Sequence, residues 1–336
     1  MPLLLYRLSN PRNTGCYFVI VIFDKVTNQC RYTVLGPTLF LLYTNDVGEI
    51  FNDLRVSLSL FADDLKLYTV YKIDASHNDL QVAVNQLTDW ASLWQLQIAI
   101  PKCTTFRISN QRWEVSKEIS DKSYNIDGCI LPFGSCVRDV GIYHYSRLKY
   151  NQHVSVIVHN AYKRASLILK SFHSRDPQIL KHAFCVYVRH LLEFSTQFWS
   201  PHYKYLIDKV ESVQRYFTKR LSGLSQLSYH DRLLNLDLQT LERRRLVYDL
   251  VFCYKILHGL CEVSLPVELS CSNTRGNNLK LAKHLCYNDV RKYFFDNRIV
   301  YAWNIVYPTM LFCHHLLVFL KKRLRMVNLV RFMTIL

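Results

Sequence analysis

Two adjacent aspartates, Asp63 and Asp64, lie in Phe61-Ala62-Asp63-Asp64, between two short alternating apolar runs. Val56, Leu58 and Leu60 precede them, and Leu65, Leu67 and Tyr68 follow. That alternation predicts a β-hairpin with both carboxylates at its tip. Neighbouring like charges repel, and each raises the other's proton affinity. The pair is comfortable where a cation sits beside it, and a hard cation such as Mg²⁺, or Mn²⁺, prefers oxygen ligands. An Asp-Asp pair taken alone is also what a solvated acidic turn looks like.

The elements around the hairpin follow from the same kind of pattern. Gly36-Pro37 opens a helical stretch through Tyr43, with proline where its missing N–H costs nothing. Ser76-His77-Asn78-Asp79 has capping-box spacing, and Leu80, Val84, Leu87, Ala91 and Trp94 repeat behind it at helical intervals. The run 18–23 reads as a buried strand, too short to cross a bilayer, and 104–108 reads as another strand. Residues 110–150 read as short strands and turns punctuated by Gly128, Gly134 and Gly141. From Asn151 the texture changes to long amphipathic helices, expected near 152–172, 177–199, 204–222 and 238–258.

Charge divides the chain in the same place. Of a formal +16, residues 1–135 carry 12 Lys+Arg against 13 Asp+Glu, and residues 136–336 carry 30 against 13. A basic, tyrosine-rich helical half suits a polyanion, nucleic acid first. The candidate contacts are Lys209, Arg215, Lys219 and Arg220 on one helix and Arg243, Arg244 and Arg245 on the next. A solvated basic helix face is the plainer alternative. Eleven scattered cysteines without a Cys-x-x-Cys pair argue for reduced thiols in an intracellular protein, cytoplasmic or nuclear, and against a secreted disulfide framework, and no run reads as a membrane span. Cys313-His314-His315 has no answering pair at zinc-ligand spacing.

The chain resembles the reverse transcriptase of a non-LTR, Jockey-like retrotransposon. The likeness runs through Val34-Leu35-Gly36-Pro37-Thr38-Leu39-Phe40 and Leu60-Phe61-Ala62-Asp63-Asp64-Leu65, then Trp94-Gln95-Leu96, Lys102-Cys103 and Asp139-Val140-Gly141-Ile142. It continues through Leu192-Glu193-Phe194-Ser195, Trp199-Ser200-Pro201, Val213-Gln214-Arg215, Leu241-Glu242-Arg243-Arg244-Arg245 and Arg291-Lys292-Tyr293-Phe294-Phe295. The resemblance implies an α+β fold: a partial right-hand polymerase palm, then an all-α basic thumb and a helical extension. Residues 1–109 would be partial fingers and palm, 110–150 a primer-grip-like connection, 151–265 the thumb and 266–336 the C-terminal extension. It implies RNA-directed DNA polymerase chemistry, a two-metal nucleotidyl transfer on an RNA or DNA template–primer. Deoxynucleoside triphosphates would be substrates, with no other small-molecule cofactor. In that scheme Asp63 and Asp64 hold metal, Lys102 steadies the leaving pyrophosphate, and Asp139 and Gly141 form the turn beneath the primer end.

The chain departs from the family where the chemistry is most demanding. The family's first metal-binding aspartate lies well upstream of the Leu-Gly-Pro stretch, and Asp24, about a dozen residues before Gly36, is a poor substitute. The family's Pro-Gln-Gly is replaced around Asn28–Thr33, and Ala99 stands where asparagine is usual before the lysine. No endonuclease segment precedes the palm. Since groups that act as a unit fail together, the expectation is a family member inactive alone. The alternatives are a non-catalytic nucleic-acid-binding relic using the basic thumb, and a decayed copy without a stable product.

Overall fold

A computed structural model describes residues 14–22, 35–72, 78–108, 123–261, 267–270, 279–286 and 288–310, with Leu329 and Met333. The described chain is mixed α and β, and it divides into two compact units between Lys149 and Tyr150.

The first unit is built on a sheet in the order β2-β3-β1-β4-β7. Its strands are β1 (Thr14–Ile22), β2 (Ser57–Phe61), β3 (Asp64–Lys72), β4 (Thr104–Ile108) and β7 (Phe133–Gly134). All pairings are antiparallel except β4 with β7. Central β1 is paired on both sides, with Ile22 opposite Asp64 on β3 and Phe18 opposite Phe106 on β4. Because side chains alternate across a strand, Val19 and Val21 share one face with Leu65 and Leu67. All four are fully buried, in one cluster with Leu80, Ala83, Val84, Leu87 and Trp90 of helix α2 (Asn78–Leu93). Val47 and Phe51, from a 3₁₀ turn over Asn45–Phe51, complete that core. Helix α1 (Gly36–Tyr43) begins with its proline in the first turn and leaves Leu39, Leu41 and Leu42 more than half exposed. The hairpins β5–β6 (Asn125–Ile126, Cys129–Ile130) and β8–β9 (Cys136–Asp139, Ile142–Tyr145) form separate two-stranded sheets.

The second unit is helical: α3 (Asn151–Ser171), α4 (Pro177–Tyr187), α5 (Arg189–Glu193), α6 (Thr196–Trp199), α7 (Lys204–Lys219), α8 (Tyr229–Asn235), α9 (Leu241–Leu257), α10 (Asp289–Lys292) and α11 (Phe295–Val306). Val154, Val158, Ala161 and Ala165 of α3 are buried, as are Val210, Val213 and Phe217 of α7, and the Phe217 ring lies 4.7 Å from that of Phe184 on α4. A further cluster joins α9 and α11 through Leu250, Cys253, Phe295, Ile299 and Trp303.

Three sequence expectations need correction. The single helix expected over 177–199 is three: Phe194 is extended, Ser195 turns left-handed at φ 51, and Trp199 Nε1 donates to the freed Phe194 carbonyl at 2.8 Å. The helix expected to 222 ends at Lys219. The helix expected from 238 begins at Leu241, after its N-cap Thr240, and ends in a Schellman turn at Gly259, φ 63. The capping box at Ser76–Asp79, Asp24 and the segment around Asn28–Thr33 fall wholly or partly outside the described residues.

Candidate active site and nucleic-acid interface

The hairpin expected around Asp63 and Asp64 is present. Phe61 pairs with Asp64, so Ala62 and Asp63 form a two-residue turn. Ala62 takes the left-handed backbone at φ 50, and Asp63 does not share that sign. Asp63 lies at the tip and Asp64 is the first residue of β3, both half-buried. Burial raises the Asp64 pKa, Asp63 adds to the rise, Lys66 works against it, and Asp139 raises it further. Lys102 closes a short 3₁₀ turn over Ile100–Lys102. That turn is tied to the end of β1, because Ala99 N donates to Ile22 O at 2.8 Å and Ile22 N donates to Cys103 Sγ at 3.4 Å. Since Ile22 faces Asp64 in register, the backbone brings Asp63, Asp64 and the Lys102 turn to one end of the sheet.

Adjacent carboxylates offer the oxygen donors a hard cation takes. Among the described residues, however, no group of three or more His, Cys, Asp or Glu is placed to hold a metal ion. Among these residues Asp63 and Asp64 therefore fit part of a Mg²⁺ shell and not the full cage that the resemblance implies.

Asp139 and Gly141, expected in the turn beneath the primer end, sit in the β8–β9 hairpin, where Asp139 is held in a buried ion pair. It is 6 % exposed and accepts a hydrogen bond from Lys66 Nζ, itself 7 % exposed and on the same face of β3 as Asp64. Gly141, φ 84, follows Val140, φ 43, in the two-residue turn between β8 and β9, where both central residues need the left-handed backbone. The ion pair joins this hairpin to the sheet over a small cavity lined by Phe18, Ile20, Phe106, Val137 and His144. Burial lowers the His144 pKa to about 4, outweighing the nearby Asp139 charge, so the ring is neutral near pH 7. Lys66 was not among the residues expected to act at the site. Its signal was parity, since a lysine between core residues Leu65 and Leu67 must face the other way, but nothing local names a partner 73 residues on.

In the helical unit the seven basic candidates separate. On α7 and at its C-cap, Lys209, Ser212, Tyr216 and Arg220 lie along the edge shared with α3. Lys209 Nζ donates to Ser155 Oγ at 2.8 Å, Tyr162 OH donates to Ser212 Oγ at 2.8 Å, and Ser166 and Tyr216 hydroxyls bond at 2.8 Å. The Arg220 guanidinium sits 3.7 Å from the Tyr216 ring centre, and exposed Lys219 is adjacent. Exposed Lys163 and Lys170 of α3 extend the charge. The result is a strip of cations and hydroxyls along one helix pair. Arg215 turns away from it, pairing with Asp208 at 3.2 Å.

The triplet on α9 is a correction. Arg245 is 2 % exposed, and burial lowers its pKa despite Glu211, Glu242 and Asp249 nearby. Arg244 forks onto Glu193 of α5 and meets Tyr248 OH at 2.6 Å; burial opposes its charge, but Glu193 outweighs burial and the pKa is raised. Neither guanidinium has the open surface a phosphate needs. Arg243 is half-buried, and burial depresses its pKa. The buried Glu211 accepts from Leu241 N, at 2.9 Å, and from Tyr229 OH, tying α7 to the start of α9. Arg298 bridges Asp249 at 2.9 Å and the Gln197 carbonyl at 3.1 Å.

No protein-family model matches the chain. It is similar to an uncharacterized protein of Caenorhabditis elegans, 24 % identical over 126 residues. The match covers 37 % of this chain and 64 % of that protein, just under two thirds of its length.

Proposed function

We propose that the protein binds nucleic acid through its helical unit and is a reverse-transcriptase-like polymerase relative whose own carboxylates do not complete the catalytic centre. The observation that carries the reading is the strip on α3 and α7, where Lys209, Arg220 and exposed Lys163, Lys170 and Lys219 stand among hydroxyl groups. Lysine and arginine neutralise phosphates, hydroxyls donate to phosphate oxygens, and neither demands a particular base sequence. No helix among the described residues is long and apolar enough to cross a membrane.

A catalytic reading is favoured by one arrangement, the meeting of Asp63, Asp64 and the Lys102 turn at one end of the sheet. One set of titrations addresses both. A labelled primer–template is expected to bind the full chain with affinity falling steeply as salt rises, equally with and without Mg²⁺. Lys209→Glu with Arg220→Glu is expected to weaken binding roughly tenfold or more, consistent with loss of two phosphate contacts. Salt-insensitive binding, or an unaffected double variant, would sink the interface. Primer extension by the same sample with Mg²⁺ or Mn²⁺, abolished in Asp63→Ala, would replace the non-catalytic reading with the catalytic one.

A further inference from the structure

A second feature of the helical unit lies at the N-terminal end of α7, away from the Lys209–Arg220 edge in sequence. Tyr293, His202, Tyr203 and Tyr205 form a continuous run of rings. Tyr293 and His202 are stacked with centroids 3.8 Å apart and planes 4° from parallel. His202 and Tyr203 follow at 4.0 Å with their planes tilted by 42°, and Tyr203 and Tyr205 stack at 5.8 Å and 26°. The inner end is fixed, because Tyr293 follows α10 and accepts a contact from Arg298 through its carbonyl at 3.3 Å. The outer end is open: Tyr203 is 43 % and Tyr205 57 % exposed. Two exposed lysines flank the run, Lys204 between the outer tyrosines and Lys292, whose Nζ lies 5.2 Å from the Tyr293 ring centre.

We infer that this ladder is a stacking platform for the bases of single-stranded nucleic acid. Protein covers one end of the ladder and leaves the other to solvent, although large aromatic surface is costly to hydrate. A nucleobase removes that surface from water and continues the stack, and every base has a π-face to offer. Bases inside a duplex are already stacked on each other, so the fitting ligand is an unpaired strand or an overhang. Lys204 and Lys292 supply the phosphate contacts that successive stacked bases bring with them. His202 suits the interior of such a stack: burial holds its pKa down, with Lys292 and Arg298 acting in the same sense and Asp289 against, so it is uncharged near neutral pH. Asp289 is the acidic group near the site and would keep phosphates toward the two lysines.

The inference rests on the nucleic-acid reading above, and it can fail alone. Anisotropy titrations would compare a labelled oligo-dT with an abasic phosphodiester of equal length, each against the wild type and Tyr203→Ala/Tyr205→Ala. The wild type is expected to prefer oligo-dT by roughly 5- to 100-fold, about the range of one stacked base. The double variant is expected to lose that preference and keep its abasic affinity. Tyr203→Phe/Tyr205→Phe is expected to retain the preference, which separates stacking from hydroxyl contacts and from misfolding. Equal binding of both ligands by the wild type, or a preference surviving in the alanine variant, overturns the platform while leaving the Lys209–Arg220 interface standing. No binding of either ligand at low salt overturns both.

Discussion

His144 is neutral at a pH where an exposed histidine would be partly charged. Burial lowers its pKa to about 4, and the neighbouring Lys66 adds to the effect while Asp139 opposes it. Between about pH 6.5 and 4 the unfolded chain therefore binds the proton and the folded chain does not. The histidine's contribution is fully present above pH 6.5 and is lost as pH falls toward 4, with about 3 kcal/mol as an upper figure. Hydrogen-exchange protection of the β1 and β3 amides, corrected for intrinsic rates, should fall more steeply with acid in the wild type than in His144→Gln. Asp64, with its raised pKa, titrates in both proteins and cancels from the comparison. Parallel profiles would show that His144 is not the titrating group. At this scale the sequence displayed Asp63, Asp64 and Lys102 openly. It concealed Lys66 and His144, whose significance lies in burial and in partners far along the chain.

Among elements, the β8–β9 hairpin is joined to the sheet by the buried pair Lys66–Asp139, beside the apolar contacts around Val137. Breaking a buried pair leaves a charge without compensation, whereas replacing both members with apolar groups removes the need for one. Lys66→Met is expected to cost about 3–5 kcal/mol, and Lys66→Met/Asp139→Leu to recover most of it, measured by urea denaturation. A double variant as unstable as the single would mean that the pair itself supplies the stability. The strands β2, β3 and β4 were legible because alternation is local. The breaks within 177–199 were not, since Arg298, about a hundred residues later, takes up the Thr196 and Gln197 carbonyls. Helix α8 had a signal that was overlooked: Ser228 is its N-cap, with Asp231 N donating to Ser228 Oγ at 3.2 Å and Ser228 Oγ donating to Asp231 Oδ2 at 2.6 Å.

Over the whole molecule, the formal +16 overstates what a partner meets. Arg244, Arg245 and Arg291 are turned to internal carboxylates, Arg291 reaching Asp296 at 2.5 Å with both side chains almost fully buried. Composition revealed which part of the chain is basic, but not which cations the fold consumes. Photocross-linking of a bound oligonucleotide to the full chain should label residues 150–336, around Tyr162–Arg220 and Tyr203, in preference to 35–108. Labels concentrated near Asp63 would place the nucleic acid on the sheet instead. The pairing of β1 on both sides has a temporal consequence. Its partners β3 and β4 lie about fifty and about ninety residues further on, so a ribosome needs ~5–20 s to deliver the second. Until β3 is made the apolar run around Val19 and Val21 has no neighbouring strand, and until β4 follows it is paired on one side alone, so the first-made strand of the described sheet is among the last to be secured, and a nascent chain has reason to engage a chaperone there.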